Sequence, residues 1–259
     1  MNHPPYILTI SGSDSSGCAG MQADNRAILA SGGFPLNVVT AVTLQTPSGV
    51  ERVEPASAEF VAKQLRRLLE TFPVATIKSG MLATGSIAGA VAEVLEDFPS
   101  IPYVLDPVLV STSGSRLLEE EGVAVVRERL MPRATVTTPN SDELWVLSAE
   151  DVRKGRIESC RILAKGIGQA VLLKGGHEDG QTSEDWLLMP DGTETNFASP
   201  RIETENLRGT GCVLSSAIAG FLGRGDSLIQ SVHSAKELLT DGLKKGAHFS
   251  WIQSGPSLI

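Results

Sequence analysis

The segment best suited to phosphate chemistry runs from Gly209 to Cys212 and precedes an apolar, helix-like stretch. Small residues allow successive backbone N–H groups to point at one anion, and a helix N-terminus adds about half a positive charge there. We therefore predict that Gly209, Thr210 and Gly211 bind a transferring phosphoryl group. The helix field should also lower the pKa of the Cys212 thiol, which could then accept a proton or hold negative charge near the reacting oxygen. The alternative is a tight turn with a buried cysteine, and the tetrapeptide alone favours neither.

Three charged residues could complete such a site. Lys174 ends a buried apolar run, where an ammonium must reach either solvent or an anion such as a nucleotide phosphate. Asp106 and Glu143 could organise Mg²⁺, directly or through water, because this ion takes few protein carboxylates and keeps several waters. The local alternative is that Asp106 caps a turn before Pro107 and that Glu143 supports a helix start. Taken singly, each carboxylate favours the local alternative.

The loop from Gly12 to Gly20 is rich in glycine and hydroxyl residues. It lacks the Gly-Lys-Ser/Thr ending of a Walker loop and the G-x-G-x-x-G pattern of a dinucleotide fingerprint. As a bare glycine and serine loop it indicates only a turn between a strand and a helix. Asp24, on the helix that follows, could bond a substrate hydroxyl or amine.

The remaining titratable side chains give little signal. His3, His233 and His248 have no acidic residue at the spacing of a catalytic triad, and His177 is most simply a solvated loop histidine. Cys160 lies on an apolar helix face and is predicted to be structural. The three cysteines in the chain are too few and too scattered for a disulfide framework.

Composition excludes several classes of protein. The 259 residues are 41% hydrophobic, enough for a sizeable core, and the net charge of -8 should repel the phosphate backbone of nucleic acid. The chain contains no long uncharged apolar run and opens without a basic segment followed by an apolar one. We therefore expect a cytoplasmic protein, with residues 1–259 forming one domain that binds neither membrane nor nucleic acid.

Strand and helix patterns alternate along the chain. Ser57 begins a helix as a hydroxyl cap, and a later Asp191-Gly192 pair is typical of a hairpin turn. The predicted strands are residues 6–10, 37–43, 74–78, 103–106, 134–137 and 170–174, with a hairpin of 185–189 and 193–198. The predicted helices begin near residues 20, 57, 87, 211 and 227.

This alternation is typical of βαβ units. It predicts an α/β fold, a three-layer α/β/α sandwich with a mostly parallel central sheet and a small antiparallel edge. Ligands of such sheets bind outside the carboxyl ends of the strands. The chemistry-bearing segments repeatedly follow strands, so one crevice could collect them.

Taken together and in order, the motifs resemble the hydroxymethylpyrimidine/phosphomethylpyrimidine kinases, which belong to the ribokinase-like superfamily. The resemblance runs from about Ile7 to the final helix. The motifs that carry it begin at Ile10, Gln22, Val39, Lys78, Leu105, Thr138, Lys174 and Gly209, and read ISGSDSSG, QAD, VTA, KSGML, LDPV, TPN, KGGH and GTGC.

The resemblance implies MgATP-dependent phosphorylation of 4-amino-5-hydroxymethyl-2-methylpyrimidine and then of its monophosphate, in thiamine biosynthesis, by a homodimer. It implies that Gln45 bonds the aminopyrimidine edge, supported by Asp24. The residues implied to line the pyrimidine pocket are Gly12, Ala19, Met81 and Val108.

The resemblance also assigns the phosphate side of the site. Cys212 occupies the place of the aspartate base of related sugar kinases, beside the anion hole of Gly209, Thr210 and Gly211. Lys174 would contact the ATP phosphates. The residues implied near the nucleotide, phosphate and Mg²⁺ are Asn140, Glu143, Asp106 and Thr204.

The chain departs from the family pattern at two places. Cys18 stands where glycine is common, and Leu207-Arg208 stands where the family commonly has threonine and histidine. Both departures bear on substrate choice or phosphate affinity more than on reaction type.

Two other functions remain open from the sequence. A pyridoxal or pyridoxine kinase of the same superfamily would also act on a small hydroxymethylated nitrogen heterocycle. Gln45 favours the aminopyrimidine, because an amide pairs with both a ring nitrogen and an amino group. The second alternative is a non-catalytic pyrimidine- or nucleotide-binding protein, which the anion hole, Lys174 and Cys212 disfavour.

Overall fold

The computed structural model describes residues 3–46, 48–109, 117–148, 155–176, 180–247 and 255–258. The interpretations of His177 and His248 fall outside these ranges. Within them, no helix is both long and apolar enough to cross a membrane.

Nine strands of the described residues form one mixed sheet, in the order β3-β2-β1-β4-β5-β6-β7-β8-β9. The five pairings from β2 through β1, β4, β5, β6 and β7 are all parallel. The strands are β1 (Tyr6–Asp14), β2 (Phe34–Thr46), β3 (Gly49–Pro55), β4 (Val74–Ser79), β5 (Tyr103–Leu105), β6 (Val136–Thr137), β7 (Ala170–Leu173), β8 (Thr182–Leu188) and β9 (Glu194–Pro200).

The sheet has two antiparallel edges, one on each side, whereas the sequence predicted a single antiparallel edge. The Asp191-Gly192 hairpin is confirmed: β8 and β9 pair antiparallel, and Gly192 adopts a φ of 92° in the turn. At the opposite edge β3 pairs antiparallel with β2. We did not predict β3, because its sequence GVERVEP is mostly polar and exposed and has no clear apolar alternation.

The helices connect the strands and cover both faces of the sheet. The Ser57 side chain accepts a hydrogen bond from the Phe60 amide, which confirms the predicted cap. The helices are α1 (Gly20–Ala30), α2 (Ala58–Thr71), α3 (Gly85–Glu96), α4 (Glu120–Val125), α5 (Met131–Arg133), α6 (Ser141–Leu147), α7 (Arg156–Ile167), α8 (Thr210–Gly223) and α9 (Leu228–Gly246).

A π-helical segment, Val126–Leu130, joins α4 to α5. Pro132 is the second residue after this segment; its ring would clash with the carbonyl four residues earlier in an α-helix, and it has no N–H to donate. The wider π turn removes that clash, which is a physical reason for its place in the helix.

The two faces of the sheet carry separate apolar clusters because side chains alternate along each strand. Leu8 and Ile10 of β1 pack with α2 and α3, while Ile7 packs with α1, α8 and α9. Three layers result, as predicted, and both faces of the central strands are buried.

The chain reverses direction across the sheet at β1, since β2 lies on one side of it and β4 on the other. Such a switch point leaves a crevice at the carboxyl ends of the strands. The structure extends β1 four residues beyond the predicted end at Ile10, with a bulge between Ser11 and Ser13. Gly12 therefore lies on a strand and at the crevice.

Candidate active site

The predicted anion loop forms a tight turn that opens α8. Gly209 has a φ of 72°, and a Cβ there would overlap the carbonyl oxygen of Cys18. Any side chain at this position is therefore both strained and obstructed. Thr210 begins the helix and donates its amide to the Leu207 carbonyl at 3.4 Å, while the geometry of a helix start leaves the Gly211 and Cys212 amides without a partner inside α8.

The structure places Lys174 directly against this loop. A Cβ on Gly211 would lie 3.4 Å from the Lys174 Nζ and 3.9 Å from the Asp106 Oδ2. Three segments that are far apart in the sequence therefore meet at one point. Since that point combines an ammonium with a helix N-terminus, it is suited to a phosphoryl group.

Lys174 lies between two carboxylates. Its Nζ is 2.9 Å from Asp106 Oδ1 and 3.5 Å from Glu143 Oε2. Burial lowers the pKa of Lys174, but the two carboxylates outweigh burial and the net pKa is raised above its ordinary value. The ammonium is therefore charged throughout the physiological range.

Asp106 is almost fully buried and well supplied with partners. Its Oδ1 lies 3.3 Å from the Thr138 hydroxyl, and its Oδ2 lies 3.1 Å from the Ser215 hydroxyl. Burial raises the pKa of Asp106, but Lys174 and Lys78 outweigh it and the net pKa is lowered. The carboxylate is therefore ionised.

Glu143 forms a capping box at the start of α6. The Asn140 side chain accepts from the Glu143 amide, and Glu143 Oε2 accepts from the Asn140 amide, both at 2.8 Å. The helix-start interpretation of Glu143 is therefore confirmed. Burial raises the pKa of Glu143, Lys174 lowers it, and the net shift is upward. The capping carboxylate also faces Lys174, and its role toward Mg²⁺ stays a prediction.

Cys212 differs from the sequence expectation. Burial raises the pKa of its thiol to about 12, against a lowering by Lys78 and the Gly20 amide, while Asp24 and Asp106 raise it further. The prediction of a lowered pKa was wrong, because loss of solvent and two nearby carboxylates outweigh the helix field. In the free protein the thiol is protonated at neutral pH.

Asp24 is also placed differently from the expectation. Its side chain is fully buried beneath the site, where Lys78 and three hydroxyl groups occupy its two oxygens. It does not reach the crevice to bond a substrate. The sequence could not show this, since the three hydroxyls come from β1 and α8.

The residues predicted to bind the pyrimidine lie mostly around the switch point. A Cβ on Gly12 would lie 3.3 Å from the Met81 Sδ, so these two predicted pocket residues are neighbours. The Thr40 hydroxyl donates to the Met81 carbonyl at 2.7 Å and fixes that turn. Ala19 precedes α1 beside Gly209, and Val108 donates its amide to the Asp106 carbonyl at 2.9 Å.

Gln45 lies near the carboxyl end of β2. The Ser15 hydroxyl donates to the backbone carbonyl oxygen of Gln45 at 2.8 Å. The same hydroxyl oxygen lies 2.9 Å from the backbone N–H of Gln45, from which it can accept. The Gln45 Oε1 is 3.3 Å from the Thr43 hydroxyl, leaving its amide NH₂ without a bond to the described residues. Its backbone is thus tied to the loop that follows β1.

Asp14 organises that loop and was missed by the sequence reasoning. One carboxylate oxygen accepts from the Ser16 amide at 2.8 Å, and the other accepts from the Ala19 amide at 2.8 Å. A signal was present, since an aspartate before Ser-Ser-Gly commonly bonds the backbone two residues on.

Thr204, predicted to lie near the nucleotide, and Arg208, a departure from the family pattern, both lie in the segment before the anion loop. The Thr204 hydroxyl accepts from the Asn206 amide at 3.1 Å, five residues before Gly209. Arg208 is buried, and Gly255 of the C-terminal segment packs against its carbonyl oxygen. The Arg208 charge is therefore enclosed by protein rather than open to solvent.

Comparison with known structures defines the class of protein as a small-molecule kinase. The ADP complex of Bacillus subtilis pyridoxal kinase superposes with a TM-score of 0.85 at 29% identity, over 98% of this chain and 96% of that one. The phosphomethylpyrimidine kinase of Clostridium difficile 630 gives 0.77 at 32% identity, over 91% and 98%. The ribokinase-like α/β fold predicted from the sequence is confirmed.

The family follows from the sequence itself. Residues 14–256 match the phosphomethylpyrimidine kinase family, and the chain belongs to it. The hydroxymethylpyrimidine/phosphomethylpyrimidine kinase of Escherichia coli K12 is 40% identical over 91% of this chain and 90% of its own length. The chain spans about a third of a longer relative, the thiamine biosynthesis multifunctional protein of Corynebacterium efficiens, at 37% identity.

Proposed function

We propose that the protein transfers the γ-phosphoryl group of ATP first to the hydroxymethyl oxygen of 4-amino-5-hydroxymethyl-2-methylpyrimidine and then to the resulting monophosphate. The observation that carries this proposal is the contact of Lys174 with the Gly211 turn at the carboxyl ends of parallel strands. The substrate class is taken from the phosphomethylpyrimidine kinase family, to which the chain belongs.

The proposed site has two sides with different chemistry. The anion loop and Lys174 stabilise charge on the phosphoryl group, which is most of what phosphoryl transfer requires of a protein. Gly12, Met81 and Gln45 lie on the substrate side, with the Gln45 amide reading the aminopyrimidine edge. Cys212 lies between these sides, and its thiolate form takes the proton of the attacking alcohol. The nucleotide side includes Asn140 and Thr204.

The carboxylates beside Lys174 fit a hydrated Mg²⁺. Asp106 and Glu143 bring two negative charges against the single positive charge of Lys174, and a nearby cation would offset the excess. The residues that the structure describes contain no cluster of three or more His, Cys, Asp and Glu side chains around one point. Such an ion would keep most of its waters and neutralise the charge of ATP phosphates.

The first experiment is ADP release from MgATP by the purified protein, with hydroxymethylpyrimidine, its monophosphate and pyridoxal offered separately. We expect turnover on both pyrimidines and little on pyridoxal. A Lys174→Met preparation run in parallel exposes contaminating kinases, because this variant should lose activity on every substrate. Turnover on pyridoxal alone would replace this proposal with the pyridoxal kinase alternative, and no turnover on any substrate would favour the binding-protein alternative.

Gln45→Ala tests the proposed reading of the pyrimidine edge. Because the variant removes the amide but leaves the Ser15 contacts with the backbone, we expect KM for hydroxymethylpyrimidine to rise about tenfold, with KM for ATP little changed. Gln64→Ala on the outer part of α2 is the matched control and should change neither constant. An unchanged pyrimidine KM in Gln45→Ala would remove Gln45 from substrate recognition.

We also propose a homodimer and a cytoplasmic location, with residues 1–259 as one domain. The exposed fractions of Val42 and Leu44, 58% and 52% on the edge hairpin of β2 and β3, support contact with a second copy. Three free thiols and the use of ATP support the location. Light scattering that gives twice the 27.4 kDa chain mass, and cell fractionation, test these proposals.

A further inference from the structure

Lys78 is a fully buried lysine that the proposed reaction does not use. It lies on β4, its side chain is 0% exposed, and its Nζ is 2.8 Å from Asp24 Oδ1. Placing an ammonium in a protein interior costs several kcal/mol, even when it is paired. Replacing a buried ion pair by well-packed apolar residues is often neutral or stabilising, so a contribution to folding does not by itself account for this pair.

Hydrogen bonds fix the Asp24 carboxylate in place. Ser216 donates to its Oδ1 at 2.8 Å, and Thr9 and Ser11 donate to its Oδ2 at 2.6 and 2.8 Å. The donors come from β1, β4 and α8. Because both oxygens are occupied, the carboxylate holds the Lys78 ammonium in one position.

This position lies directly beneath the reacting region. A Cβ on Gly80, next to the pocket residue Met81, would lie 2.8 Å from the Lys78 Nζ. Ser216, which shares Asp24 Oδ1 with Lys78, follows Cys212 by one helical turn and so lies on the same face of α8. The ammonium therefore lies between the substrate-side turn and the helix that bears the thiol.

The charged groups that act on Cys212 come from four segments, one of which is the end of β7 with Lys174. Lys78 on β4 favours its thiolate, whereas Asp24 on α1 and Asp106 after β5 disfavour it. The influence of Lys78 is larger than that of either carboxylate. Burial lowers the pKa of Lys78, but Asp24, Cys212 and Asp106 outweigh burial and the net pKa is raised, so the charge of Lys78 persists.

We propose that Lys78 is a positioning residue whose ammonium, fixed by Asp24, stabilises the thiolate of Cys212, the form of this side chain that can take the proton of the attacking alcohol. The role rests on the proposed function of Cys212. It assigns the buried pair to the reaction rather than to folding, and it gives Asp24 a role that does not require contact with substrate.

The test measures the reactivity of the Cys212 thiolate without any substrate. Iodoacetamide alkylates the protein at fixed pH between 8 and 9, and peptide mass spectrometry follows Cys212 separately from the buried Cys18 and Cys160. Loss of a nearby opposite charge shifts a pKa by one to three units, partly offset by higher intrinsic nucleophilicity, so Lys78→Met should slow Cys212 alkylation about tenfold.

Lys236→Met is the matched control. Lys236 is also buried and paired with an aspartate, Asp185, at 2.7 Å, but it lies on α9. The Lys236→Met variant should leave the Cys212 alkylation rate unchanged. It shows what the loss of a buried lysine does to the stability of the fold.

The double variant Lys78→Met with Asp24→Asn removes both charges together and covers the case in which Lys78→Met does not fold. It should still slow alkylation, by less than the single variant, because the larger of the two opposing influences is lost. Wild-type alkylation rates in folded Lys78→Met, or in the double variant, would overturn the proposal. Since no kinase reaction is measured, failure here is distinct from failure to release ADP from MgATP.

Discussion

Lys174→Met is expected to lower kcat/KM for ATP by about 10²- to 10³-fold, the size of effect seen when one preorganised charge-stabilising donor is removed. Lys174 is the ammonium beside the anion loop, since a Cβ on Gly211 would lie 3.4 Å from its Nζ. Its loss also leaves the carboxylates of Asp106 and Glu143 facing the same space with no cation between them. Both changes disfavour a phosphate group, so nucleotide binding and turnover should weaken together.

The measurement is steady-state ADP release together with calorimetric ATP binding. Lys165→Met is the control, because this lysine is exposed on α7 and should leave both quantities unchanged. Lys174→Arg keeps the charge but replaces the compact ammonium with a planar guanidinium, so it should restore only part of the activity. A kcat/KM for ATP within a few-fold of wild type in Lys174→Met would exclude Lys174 from phosphate stabilisation.

The layered fold and its ligand edge could be predicted because they depend on local patterns. Alternating apolar periodicities and polar strand ends placed the segments of Lys174, Asp106 and Gly209 at one edge. The sequence did not show which of these side chains lie next to one another. That Lys174 lies between Asp106 and Glu143, and against Gly211, depends on the pairing of β5, β6 and β7.

The errors have a common physical origin. Asp24 and Cys212 were interpreted from their neighbours in the chain, whereas burial and charges from distant segments determine their behaviour. Lys78 has no signal of its own in the sequence beyond its place in the KSGML motif, although it pairs with Asp24 across 54 positions. Tertiary partners of buried polar groups have no periodic signature, so sequence patterns cannot identify them.

Cys18, which stands where the family commonly has glycine, lies inside the loop between β1 and α1. Its side chain is buried, with its sulfur 3.5 Å from the Ser16 carbonyl, and its own carbonyl oxygen lies against Gly209. The extra bulk therefore packs within the β1–α1 loop. Any effect on substrate choice would act through the position of that loop relative to the anion hole.

Cys212→Ala is expected to reduce kcat for hydroxymethylpyrimidine by about 10²-fold or more while changing kcat for the monophosphate much less. Removal of a general base typically costs 10²- to 10⁴-fold. The first reaction must remove a proton from an alcohol, whereas the second attacks with a phosphate oxygen that is already ionised above pH 7. The two substrates of one active site therefore serve as each other's control.

The pH dependence of the wild-type protein tests the same role. Because the pKa of Cys212 is raised to about 12, its thiolate fraction rises tenfold with each pH unit below that value. If the thiolate takes the proton, kcat/KM for the alcohol should rise from pH 7 towards pH 10, and the monophosphate reaction should not. Cys212→Ala should abolish that rise. A flat wild-type profile, or an equal loss on both substrates, would show that Cys212 acts as a neutral thiol or as packing beneath the anion loop.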